Sequence, residues 1–160
     1  MSGLPDLKPP RFASTEKDTL VTFLDYLRDS IVRKVQGVSE EDARRSLVPS
    51  GTSLLSLVQH LTMAEVSWFQ IRFAGSSAPE PGDSIDEDSA VSEHVAHYGR
   101  ALTRDNEIVA SAPSLEVRCA DTVYADVDLR WVLVHMIEET ARHAGHADII
   151  REQIDGATGR

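Results

Sequence analysis

From about Asp126 to Ile154 the chain sustains helical spacing over roughly eight turns, with Val132, Met136, Ile150 and Ile154 on one arc and Asp155-Gly156 closing the run. A helix of that length cannot bury its apolar stripe alone and must pack against other helices. The same period appears three more times. Ser14 or Thr15 caps a helix whose stripe is Leu20, Phe23, Leu24, Leu27, Ile31 and Val35, with Gly37 ending it. A second long helix runs from Thr52 or Ser53 to about Ala74 and gathers Leu57, Leu61, Ala64, Trp68 and Ile71 in one arc. A third runs from about Glu87 to Ala110 with Val91, Val95, Tyr98, Leu102 and Val109 on one side, until Pro113 stops it. Ser39 and Asp42 open a short helix through about Ser46. The expected fold is all-α, a four-helix bundle with one short extra helix.

The remaining segments organise this bundle. Residues 1–13 carry Pro5, Pro9 and Pro10 and read as an extended N-terminal arm, leaving a single domain over 14–156. Residues 75–86 collect Gly, Ser, Pro and Asp in a loop of the length at which loops become functional or mobile. The stretch from Leu115 to Asp126 alternates briefly and is extended without forming a sheet.

Composition narrows the function. With 16 Lys+Arg against 26 Asp+Glu the net charge is −10, and there is no basic run to displace counterions from a polyphosphate, so nucleic acid is excluded as a partner. No apolar run is long enough to span a bilayer and the start lacks a signal pattern, which points to the cytoplasm. The single cysteine, Cys119, rules out an internal disulfide and a thiolate-rich zinc cluster. Without a Cys-His signature it reads as a small buried hydrophobe rather than a nucleophile. Any metal site must therefore be built from carboxylates and the six histidines.

On the last helix, His135, Glu139, His143 and His146 fall within about 80° of one another and inside the arc of its apolar stripe. A core-facing carboxylate flanked by imidazoles needs a cation or a dense hydrogen-bond network beside it. Residues four apart, such as Glu139 and His143, offer two donors to one ion, and a third must come from another helix. His60, at the edge of the second helix's apolar face, is the first candidate; His94 and His97, at the margin of the third helix's stripe and outside it, compete less well. The competing reading for His60 alone is an ordinary hydrogen-bonded histidine, and for the polar face a surface salt bridge or a subunit interface. Trp68, Phe69 and Trp131 read as packing or interface residues, and the acidic run Asp83–Asp88 as a solvated loop and helix start. No His-Glu-x-x-His and no Glu-x-x-His motif occurs on any helix, which disfavours a zinc protease and a di-iron bundle and leaves a mononuclear site.

Two segments, LVPSGTSLLSLVQHL ending around His60 and LRWVLVHMIEETARHAGHADIIRE, resemble those of the DinB-like metal-dependent four-helix bundles. Within them the chain is similar to the thiol-dependent, mycothiol-type subgroup related to mycothiol-dependent maleylpyruvate isomerase, from about Thr15 to Gly156. The resemblance implies a metal triad of His60, Glu139 and His143. The commoner family pattern places His where this chain has Glu139 and continues His-Arg-Gly-Gln where this chain reads His143-Ala144-Gly145-His146. It further implies a divalent ion, zinc first and nickel second, with a low-molecular-weight thiol as cosubstrate activated for attack on an electrophilic small molecule. His135, His146 and Arg142 are then candidates for supporting the ligands or touching substrate. Family members pair through helix faces, so a homodimer is expected, with Ile137, Ala141 and Ala144 on the face opposite the site. A non-enzymatic metal-binding or stress-associated interaction bundle is the alternative from another class. Only 17 residues follow His143, so the isomerase's further C-terminal region and its substrate chemistry do not carry over.

Overall fold

The computed structural model describes residues 7–11, 14–77 and 85–159. Of the N-terminal arm only 7–11 are therefore described, and 78–84 of the loop, with Asp83 of the acidic run, lie outside the described residues. Five α-helices and no strand appear among the described residues: α1 (Glu16–Val35), α2 (Glu40–Arg44), α3 (Leu54–Glu65), α4 (Val91–Ser111) and α5 (Leu129–Asp155). No helix among them is long and apolar enough to cross a membrane. Three caps follow from the sequence: Thr15 accepts from Asp18 N, Ser39 from Asp42 N and Asp128 from Trp131 N. Helix α4 starts later than its pattern predicts, because Asp86–Ser89 closes a turn through Ser89 N to Asp86 O.

The chain divides into two compact units, Met1–Val58 with Ile137–Arg160, and Gln59–Met136. In the first, Leu24, Ile31 and Val35 of α1, Ala43 of α2, and Ala147 and Ile150 of α5 are buried. One of its buried cations serves a helix end. Arg151 Nη1 donates to the carbonyls of Lys34 and Gln36 at 2.8 and 2.9 Å, satisfying acceptors that the end of α1 leaves open. The Lys34 ammonium pairs with Asp148. Tyr26 donates from its hydroxyl to Leu7 O at 2.8 Å, tying the described part of the arm to α1.

In the second unit the long helix expected to reach Ala74 changes character at Val66. Residues Val66–Phe73 form a π-helix, with Ala74 N bonding back five residues to Phe69 O at 3.0 Å. In that winding residues four and five apart share a face, so Phe69 and Phe73 are both buried, while Gln70 reaches Asp105 of α4, Nε2 to Oδ1 at 2.8 Å. The segment ends at Gly75, whose φ of +76° and approach to Ala120 leave no room for a side chain: an added Cβ would lie 2.9 Å from Ala120 Cβ. Residues 120 and 121 then donate to the carbonyls of Phe73 and Arg72. The stretch after α4 carries one isolated bridge, Arg118 to Asp128, and a 3₁₀ turn at Thr122–Tyr124, matching an extended segment that is not a sheet.

A further correction concerns α4. The buried face is Val91, His94, Tyr98, Ala101, Asp105 and Val109, whereas Val95 and Leu102 are half-buried. The stripe is rotated toward His94, because Asp105 gains a buried partner in Gln70 and so occupies a position that pattern reading assigns to apolar residues.

Candidate metal centre

The carboxylate and imidazole four residues apart on α5 meet. Glu139 Oε1 lies 3.1 Å from His143 Nε2, and each side chain is 15% exposed, enough to be shielded and still reachable. The opposite nitrogen of His143, Nδ1, faces Nδ1 of the exposed His146 at 3.4 Å. Glu139 and His143, in the first unit, thus offer two donors side by side, while His60 stands on α3 in the second unit. Two imidazole nitrogens and one carboxylate oxygen suit zinc or another borderline divalent ion, whose donors in a tetrahedral set stand about 3.3 Å apart. The Glu139–His143 spacing is already near that value. His60 itself is exposed, consistent with a place at the edge of its apolar stripe.

Arg142 is half-exposed and committed to carboxylates: its guanidinium bonds Glu138 and lies 3.8 Å from Glu139 Oε2. The bond to Glu138 holds its guanidinium still more firmly protonated than usual. His135, one turn before Glu139, has a different environment. Its ring stacks on Trp131 at 5.0 Å between centroids and meets Trp68 edge-on at 4.8 Å. Trp68 also contacts Trp131 and Tyr124, and the Arg72 guanidinium sits over Trp68 and Tyr124 at 4.4 and 4.8 Å. Cys119 is buried, and burial followed by the nearby Asp121 carboxylate pushes its thiol above the usual range, which suits an inert side chain.

A family model described as mycothiol-S-transferase matches residues 19–156. The chain belongs to the mycothiol-S-transferase family. Membership agrees with the resemblance to DinB-like bundles drawn from the His60 and Glu139–His143 segments. The crystal structure of a conserved protein from Enterococcus faecalis aligns with a TM-score of 0.63 over 90% of this chain and 99% of that one, at 13% identity, which shows a shared fold. No curated protein matches the sequence significantly.

The helical pattern does not reveal the buried Gln70–Asp105 pair or the surroundings of His94. The available signal was Asp105 recurring on the stripe of Tyr98, Ala101 and Val109. A charge at a core position marks a partner that the helix itself cannot supply.

Proposed function

We propose that this member of the family is a metal-dependent thiol S-transferase in which His60, Glu139 and His143 hold one divalent ion, zinc before nickel. Its cosubstrates are a mycothiol-like low-molecular-weight thiol and an electrophilic small molecule, and its compartment is the cytoplasm. The observation that carries the reading is the 3.1 Å approach of Glu139 to His143 on successive turns of α5, with His60 as the third donor that the family resemblance implies. Family membership supports the thiol chemistry. One anionic and two neutral donors around a divalent cation leave a single positive charge, which favours a thiol in its deprotonated form.

The chain's own groups complete the site. Nδ1 of His143 needs a partner once Nε2 serves as a donor, and Nδ1 of His146 stands ready to accept its proton and fix the ring. Arg142, near Glu139 Oε2, offsets the charge of the carboxylate's second oxygen. The sulfur–carbon bond forms as the electrophile's leaving group departs with the electron pair, or, in an addition, as the thiol's proton passes to the adjacent carbon.

The test is metal analysis of protein purified without added metal, followed by conjugation of mycothiol to chlorobimane by wild type and Glu139→Ala. The expected result is one equivalent of metal per wild-type chain, activity abolished by a chelator, and loss of both properties in the variant. Full occupancy with unchanged activity in Glu139→Ala overturns the triad.

A further inference from the structure

The second unit contains a cleft that the metal centre does not use. Its larger part is a mostly apolar cavity of about 450 Å³ between the π segment and α4, with Val66, Ile71 and Ala101 among its walls. A smaller part of about 290 Å³ is lined by Gln59, Thr62, Glu87, His94 and His97. The two share Thr62, Met63, Ile85 and His97 in their walls, so they adjoin as an apolar part and a polar part of one cleft. Its size is that of a small-molecule site.

Two features say what it takes. His97, Arg100, Ala101 and Arg104 recur at the helical spacing that puts them on one face of α4, so two guanidiniums one turn apart border the apolar space. In a chain of net charge −10, that pairing is local and favours an anion. His94, at the polar end, is 5% exposed, and its Nε2 has no hydrogen-bond partner among the described residues. An unsatisfied buried nitrogen destabilises a fold, and an apolar ring of similar size would avoid that penalty. The cavity walls owe their arrangement to the π winding, which puts Val66, Gln70 and Ile71 on a common face while the Gln70–Asp105 bond holds that face against α4. Gln59 and Met63 flank His60 on α3, so the polar mouth opens at the helical level of that residue.

We infer that this cleft binds an organic anion with an apolar body, its chain against Val66, Ile71 and Ala101, its acidic group near Arg100 and Arg104, and a second polar atom on His94 Nε2. Identification of that anion as the electrophilic cosubstrate rests on the transferase reading; the binding site itself does not. The probe is decanoate, titrated into the full chain after chelator treatment and without thiol, and followed by backbone-amide and imidazole NMR. Saturable shifts confined to residues 59–71 and 94–104 are expected, with a Kd below about 1 mM. Val66→Trp should abolish them, and Arg100→Gln, at an exposed position that leaves the fold intact, should weaken binding about tenfold. His94→Phe should weaken binding of decanoate several-fold while leaving the melting temperature unchanged or higher, a split that a purely structural histidine would not give. No saturation, shifts elsewhere, or full affinity in Val66→Trp overturns the site; equal binding of decanol overturns the anion. Because metal and thiol are absent, loss of the metal reading through Glu139→Ala leaves these outcomes unaffected.

Discussion

His135 and His143 stand two turns apart on one face of α5, and periodicity gives no reason to separate them. Their surroundings do. His135 lies between Trp131 and Trp68 in an aromatic group completed by Tyr124 and Arg72, whereas His143 faces a carboxylate on one nitrogen and His146 on the other. A helix fixes which residues share a face; the partners presented to that face decide whether an imidazole packs or coordinates. Substitutions in the first turns of α5 and in its middle should therefore separate stability from metal.

The largest expected effect is at the polar stretch in the middle of α5. His143→Ala should lose bound metal altogether, with metal affinity falling by more than about a hundredfold, because a coordination bond disappears along with half of the Glu139 pair. His135→Phe should retain full metal, since a phenyl ring replaces the stack on Trp131. Metal content per chain after dialysis checks both, and equal losses would erase the distinction between the two histidines.

At the aromatic end the second effect is on stability. Trp68→Ala removes contacts to three rings and to Arg72 and should destabilise the fold by about 2–3 kcal/mol, toward the low end for a large aromatic because Trp68 is only half-buried. Chemical denaturation measures it, and metal stoichiometry at saturation should stay at the wild-type value. The third, smaller effect returns to the metal centre. His146→Ala should reduce metal affinity about tenfold through loss of the group facing His143 Nδ1, with activity restored at saturating metal. A failure of restoration would make His146 a ligand rather than an orienting group.

What is legible in the sequence follows the same division. Stripes of Leu24, Ile31 and Val35, or of Val132, Met136 and Ile150, are properties of one helix, and so is the meeting of Glu139 with His143. The π winding at Val66–Phe73 was not legible, because over eight residues a period of 3.6 and a wider one place nearly the same residues on the buried side. The burial of His94 depended on a stripe rotated by Asp105 finding Gln70 on another helix, and the fate of His135 on Trp68 arriving from the π segment. Neither partner lies within the window that a helical pattern reads.

The smallest effect isolates the aromatic end by pH. Glu116 accepts from Arg130 Nη2 at 2.6 Å, just as the chain enters α5, and this hydrogen bond, helped by Ser114, lowers its carboxyl from 4.5 to about 2. A carboxyl whose pKa is depressed by folding stabilises the native state above its unfolded value, and that contribution disappears as pH falls from about 4.5 toward 2. The pair is solvent-exposed, so the effect is small and screened by salt. Glu116→Gln should leave the melting temperature nearly unchanged below pH 2 and slightly lower it above pH 5, flattening the acid limb of the wild-type profile. Metal content at neutral pH should not move, because Glu116 anchors the N-terminal end of α5, which carries Trp131 and His135, not the middle of the helix, which carries His143. A variant profile that parallels wild type throughout would remove Glu116 as the source of that acid dependence and leave the anchoring of this end to Asp128, which caps α5 through Trp131 N.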